Sequence, residues 1–228
     1  MPVITFANPK GGAGKTTAAL LLASSLATRG ARIAIIDADP ERWITQWSKL
    51  GAGPGTIELF SDVTEDSIVD LIDETSRRVQ FVIVDLEGTA SLMVANALGM
   101  SDLVVIPTQG GSMDAKGAAK TIRLLRNQER MARRPIPHAV LMTRTSAAVT
   151  SRALRNVVEQ LEAADIPVFG TPIVERAAYR DIFDYGGLLA DLPADRVSNL
   201  GRAVENANTF AGEVLTRLKQ AKTAEEVA

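Results

Sequence analysis

Apolar residues fall along this chain in short blocks rather than long stretches. VITFA (3–7), RIAIID (32–37), FVIVDL (81–86), LVVIPT (103–108), HAVLMT (138–143) and IPVFGT (166–171) are all rich in β-branched residues, and TIELF (56–60) is a weaker example. Each is too short for an ordinary helix and too uniformly apolar for a strand with one wet face, so they read as strands buried on both faces of a parallel sheet. Between them run longer segments with helical spacing. TAALLLASSLATRG (17–30) closes on Gly30 as a helix-ending glycine, and TEDSIVDLIDETSRR (64–78) opens on Thr64 with acids in its first turn. TSRALRNVVEQLEAA (150–164) and SNLGRAVENANTFAGEVLTRLKQ (198–220) are two more. Strand and helix alternate throughout, which predicts a single-domain, doubly wound α/β fold over 1–220, with a mostly parallel sheet, helices on both faces and a frayed tail at 221–228.

Bulk composition changes this picture little. The chain has 228 residues, 46% hydrophobic and 23% charged, and could by length alone hold one large domain or two small ones. It has no cysteine, so disulfides, thiolate metal sites and cysteine nucleophiles are excluded. No stretch of about 20 apolar residues suggests a membrane span, and MPVITFA carries no basic leader, so the expected location is cytoplasmic. The net charge of −2 conceals an asymmetry. Glu58, Asp62, Glu65, Asp66, Asp70, Asp73 and Glu74 form an acidic block, while Lys116, Lys120, Arg123, Arg126, Arg130, Arg133 and Arg134 face only Glu129. Local potential, not net charge, governs polyanion binding, so the basic block is a candidate nucleic-acid surface; a solvated helix face is the alternative.

The strongest chemical signal is NPKGGAGKTT (8–17). It resembles G-x-x-x-x-G-K-[ST], but Pro9 stands where the first glycine belongs and an additional cation, Lys10, follows it. The segment follows a buried strand and opens a helix, as a phosphate loop must. Gly11, Gly12 and Gly14 let the backbone approach phosphates, with amides facing the anion at a helix N-terminus. Lys15 is placed for the β- and γ-phosphates and the Thr16 hydroxyl for Mg²⁺. Asp85 ends FVIVD where a Walker-B carboxylate would serve the metal, and Asp37 and Asp39 end the second strand in the same crevice. Asp39 is placed to orient a water and Asp37 to support the metal shell. The single histidine, His138, opens a strand and reads as structural. Trp43 and Trp47, at i,i+4 spacing, read as core rather than partner surface.

Taken together, NPKGGAGKTT, DADP, QWSKLG, FVIVDLEG and SDLVVIPTQGGSMD resemble the ParA/MinD family of deviant-Walker ATPases, and most of all the small, ParF-like ParA partition proteins. The likeness continues more weakly through LMTRT and VFGTPIVERAAY. It implies ATP and Mg²⁺ as cofactors and an ATP-sandwich homodimer in which Lys10 reaches the partner's phosphates. It implies phosphate contacts from residues 10–17 (Lys10, Gly11, Gly12, Ala13, Gly14, Lys15, Thr16 and Thr17), with Lys10, Lys15 and Asp39 catalytic. Gly12 would lie where the two loops approach. Thr16, Asp37 and Asp85 would serve the metal, and Thr143, Arg144, Pro172 and Val174 the adenine. The implied function is non-specific DNA binding by the ATP dimer on the nucleoid, with hydrolysis stimulated by a ParB-like or cargo-adaptor protein; the cargo is left open. Lys116, Lys120, Arg123, Arg130 and Arg134 would share a DNA-facing side, with Arg152, Arg155, Arg176, Arg180 and Arg202 as further contacts. Two departures are Glu87–Gly88 in place of prolines after Asp85, and Glu41 after DADP. A MinD-like membrane switch is an alternative, but Glu213, Glu225 and Glu226 against Arg217, Lys219 and Lys222, with no terminal aromatic, make a poor membrane helix, so stable membrane binding is not expected. A metabolic P-loop enzyme is the other.

Overall fold

The computed structural model describes the backbone of residues 1–51, 55–88 and 91–227 and, apart from 112, 113 and 225–227, their side chains. Glu225, Glu226 and Ala228, used above to weigh the tail, lie outside the described side chains. Seven strands form one sheet: β1 (Val3–Phe6), β2 (Ile33–Ala38), β3 (Ile57–Phe60), β4 (Phe81–Leu86), β5 (Leu103–Thr108), β6 (His138–Thr145) and β7 (Ile173–Val174). Their order is β3-β2-β4-β1-β5-β6-β7 and every pairing is parallel. The chain winds outward from β1 on one side, returns beside it as β4, then winds outward on the other side. That reversal opens a crevice at the carboxyl end of β1, where doubly wound sheets bind ligands.

Side chains alternate between two cores, as the double burial of the strands requires. Ile4, Phe6, Ile33, Ile35, Ile83, Val105 and Leu141 point to one face, covered by α1 (Lys15–Thr28), α2 (Trp43–Ser48), α7 (Ala178–Tyr185) and α8 (Leu200–Val227). Val3, Ala34, Ile36, Val82, Val84, Val104 and Val140 point to the other. There they meet α3 (Ile68–Ser76), α4 (Leu92–Gly99), α5 (Ser112–Ala132) and α6 (Arg152–Ala163). α1 is buried nearly all round, consistent with its unbroken Ala/Leu/Ser composition. Its end is a Schellman turn: Gly30, at φ +79°, donates to Ala27 O and Ala31 to Leu26 O.

Three local readings change. IPVFGT (166–171) is not a strand; it touches β6 through one bridge, Val140 to Val168, and β7 lies further on. The amides of Gly170 and Thr171 donate instead to the Glu213 carboxylate on α8, both at 2.9 Å, and Arg217 donates to Val168 O while stacking over Phe169. Tertiary partners have taken the hydrogen bonds a ladder would use. α8 continues through Gln220 to Val227, where Ala, Lys and Glu are good helix formers. The two tryptophans divide: Trp47 is buried with Nε1 on Gly187 O, whereas Trp43 is 50% exposed. His138 begins β6 as expected, its ring nitrogen against Ile136 O.

Candidate phosphate site

The loop after β1 is fixed by the ends of β5 and β6. Asn8 donates to Pro107 O at 2.6 Å and accepts from the Lys10 amide at 2.9 Å. Gln109 donates to Gly12 O at 2.8 Å, and the buried Thr143 hydroxyl donates to Ala13 O at 2.7 Å. Gly12 and Gly14 adopt φ +74° and +95°, the left-handed region where glycine alone is unstrained. Gly14 then serves as the N-cap of α1 without any side-chain cap, which leaves the first helix amides as open donors.

In front of the loop is a cavity of about 330 Å³, lined by Gly11, Gly12, Gly14, Lys15, Thr16, Thr17, Asp39, Glu41, Trp43, Gly88 and Arg144. Lys15 is nearly buried, with Nζ 4.0 Å from Asp39 Oδ2. The other Asp39 oxygen accepts from the Glu41 amide, so the carboxylate is turned by its own backbone. Asp37 and Asp85 lie beneath, directly paired in the β2–β4 register. Asp37 Oδ2 accepts from both the amide and hydroxyl of Thr45, at 2.8 and 2.6 Å, while Oδ1 is buried without a partner. Asp85 is fully buried, and among the described residues no well-formed hydrogen bond reaches either carboxylate oxygen, the Thr16 hydroxyl lying close enough to favour the charged form without the geometry of a full bond. Burial drives its pKa up to about 7; nearby Thr16 and the Lys15 charge pull it down, and Asp37 and Asp39 push it further up. Burial also raises Asp37, against the pull of Thr45. Orphaned carboxylate oxygens beside a lysine and a hydroxyl suit a hard divalent cation. No three acidic or imidazole groups cluster as an all-protein metal cage among the described residues.

A second, adjoining cleft of about 150 Å³ is lined by Gly14, Thr17, Thr143, Arg144, Ile173, Val174, Glu175, Arg176, Tyr179 and Arg180. It contains three of the four expected adenine residues. Pro172 is absent from it, its carbonyl accepting from Asn206. Ala13 is buried behind the loop. Lys10 lines neither space: its Nζ is held 2.5 Å from Asp114 Oδ1 of its own chain, at the start of α5. The roles of Asp114, Gln109 and Asn8 escape a reading of the sequence because they depend on contacts with distant chain. Glu41 and Trp43, both noted in the sequence just after DADP, line the cavity.

The basic block also resolves. Lys116, Lys120, Arg123, Arg126, Arg130 and Arg133 are exposed on α5 or at its end, with no ion pair among the described residues. The acidic segment pairs locally instead, Asp73 with Arg77 and Glu58 with Arg78. Arg134 does not share the face: it follows the left-handed Arg133 and donates to Gly99 O. Arg176 and Arg180 border the second cleft, and Arg202 pairs with Glu205. Arg152 and Arg155 are exposed on neighbouring α6.

Residues 1–223 match the family model described as VirC1 protein. Protein ParA of Rhizobium radiobacter is 38% identical over 221 residues, spanning 97% of this chain and 99% of that protein. Among solved structures, the ATP complex of a Cyanothece McdA variant superposes with a TM-score of 0.73 at 15% identity, covering 94% of this chain and 96% of that one. Cobyrinic acid a,c-diamide synthase of Mycobacterium smegmatis, with an ATP analogue and magnesium, gives 0.69 at 17% identity, covering 96% of each chain.

Proposed function

The chain belongs to the VirC1 family within the ParA/MinD P-loop ATPases, and from that premise we propose that it is a partition or positioning switch whose ATP-bound form is a DNA-binding homodimer. The single observation that carries this reading is the assembled phosphate cavity. Lys15, Thr16 and Asp39 meet the open amides of the loop there, above a buried Asp85 with unsatisfied oxygens. Thr16 and Asp85, supported by Asp37, would hold Mg²⁺, which would neutralise charge on the transferred phosphoryl group. Lys15 binds the phosphates in cis and Asp39 orients the attacking water. Lys10 completes the neighbouring subunit's site, so hydrolysis depends on association. In the single chain Lys10 is engaged by Asp114 and must exchange that carboxylate for phosphate.

DNA binding falls to the unpaired cations of α5, whose helix length of 21 residues spans about 30 Å. A ParB-like or cargo-adaptor protein would stimulate turnover, and residence on the nucleoid follows from the DNA contact. No helix among the described residues is long and apolar enough to cross a membrane.

Co-sedimentation with random-sequence duplex DNA at low salt tests the proposal. Retention with ATP and Mg²⁺ but not with ADP is expected, together with a doubling of mass by light scattering. Equal retention in both nucleotides, with no change in mass, would sink the switch.

A further inference from the structure

The loop's grip on phosphate depends on which way its peptides face, and glycines do not fix that by themselves. Gly11, Gly12 and Gly14 permit several orientations, because a peptide flanked by glycine rotates at little steric cost. Two side chains from outside the loop remove that freedom. Gln109, just beyond β5, donates its amide to Gly12 O at 2.8 Å. Thr143, on β6, donates its hydroxyl to Ala13 O at 2.7 Å. These are carbonyls of successive peptides. In a trans peptide the C=O and N–H point in opposite directions. Holding both carbonyls back therefore turns the Ala13 and Gly14 amides the other way, and neither amide has an acceptor among the described residues.

We infer that Gln109 and Thr143 are paired positioning residues that orient the phosphate-binding amides of Ala13 and Gly14. This assigns Thr143 a role different from the adenine contact suggested by its sequence: its one proton is already committed to the loop. The two clamps differ in strength. Thr143 is 3% exposed and its methyl and Cβ pack where a Cβ on Gly14 would lie, at 3.4 Å, so removing the hydroxyl leaves Ala13 O buried without a partner. Gln109 is half-buried, and water replaces a truncated amide there; a carboxylate, which cannot donate, opposes the carbonyl instead.

The inference rests on the phosphate-site reading and deepens it. The test is titration of the whole chain with MgADP and, separately, with Mg²⁺-tripolyphosphate, which has phosphates but no base. Thr143→Val and Gln109→Glu are each expected to weaken both ligands roughly tenfold, the loss of one hydrogen bond plus an opposed carbonyl. Thr143→Ser, which retains the hydroxyl, is expected to stay within about twofold of wild type. Thermal midpoints without nucleotide serve as the fold control, and Gln109→Glu stands alone if Thr143→Val does not fold. Wild-type affinity for both ligands in a folded Gln109→Glu or Thr143→Val overturns the clamp. So does a Thr143→Val loss confined to MgADP, which would return Thr143 to the base. A wild-type chain that binds neither ligand overturns the phosphate site and the clamp together; wild-type binding with indifferent variants overturns the clamp alone.

Discussion

Asp85→Asn separates the electrostatic cost of the site from its use. Asp85 is fully buried, has no hydrogen-bond partner for either oxygen, and has its pKa pushed from 3.8 to about 7. Between those values the native chain holds a proton that the unfolded chain has released, so stability falls as pH rises through this window. Roughly three units at 1.36 kcal/mol each gives about 4 kcal/mol as the ceiling of that loss. Asn mimics the protonated acid and does not titrate, but its buried NH₂ needs an acceptor, which subtracts about 1–3 kcal/mol. The variant is therefore expected to be more stable than wild type at pH 8 by about 2 kcal/mol, or about 4–8 °C in melting temperature for a domain of this size. At pH 4 the advantage disappears. Asp37, also raised by burial, contributes the same sign in both proteins, and because its charge acts on Asp85 the difference between the melting curves reports Asp85 together with its coupling to Asp37. Differential scanning calorimetry across pH 4–8 without nucleotide is the assay. Parallel curves, or a variant less stable at pH 8 than at pH 4 relative to wild type, would refute the argument. The same variant is expected to lose Mg²⁺-dependent ATP binding.

Lys15→Ala is expected to abolish MgATP binding, read by calorimetric titration, because Lys15 is the nearly buried cation of the cavity, beside Asp39, whereas Arg144 at its rim is exposed. Lys10→Ala should bind nucleotide normally yet fail to gain mass with ATP, whereas Asp114→Asn should raise the association constant about 30-fold by releasing two pairs per dimer worth about 1 kcal/mol each; light scattering reads both. Charge reversal at Arg126, Arg130 and Arg133 together, six cations in the dimer, should flatten the slope of log affinity for duplex DNA against log salt by about 5, without changing MgATP affinity. Glu213→Gln should lower stability by roughly 1–3 kcal/mol in urea unfolding, since Glu213 serves the Gly170 and Thr171 amides and Arg217. Burial pushes the Glu213 pKa up, but those partners outweigh it and hold it below the ordinary value, so its contribution is lost as acid protonates it.

What the sequence revealed depended on how local the cause was. β4 and β5 matched their apolar runs residue for residue, because burial on both faces writes itself into consecutive positions. The loop's form was equally visible, since its positive-φ glycines and the helix start at Lys15 lie within a few residues of one another. IPVFGT failed for the opposite reason: the amides of Gly170 and Thr171 are diverted by Glu213, more than 40 residues away, and no local pattern records that. Thr143 illustrates the same boundary inside the site. Its position near the cleft was readable, while the direction of its hydroxyl depended on a partner 130 residues earlier. Lys10 is the sharper case. Its identity as an extra cation was plain, but its engagement by Asp114 joins residues 104 apart.

These long-range contacts give the nucleotide-free chain a definite character. Asp85 is ionised only at a cost, Lys10 is occupied by Asp114, and the amides of Ala13 and Gly14 have no acceptor among the described residues. In the proposed cycle a Mg²⁺–triphosphate would address the first and third within one subunit, the cation offsetting the orphaned carboxylate and the anion meeting the loop amides. It cannot address the second in the same way, because Lys10 does not line the cavity. Releasing Lys10 requires a competing anion outside its own site, and in the proposed dimer that anion is the phosphate held by the other copy. Binding and association are then separable steps with separate electrostatic costs. Occupancy alone should leave the Lys10–Asp114 pair intact, and only a second occupied subunit should break it.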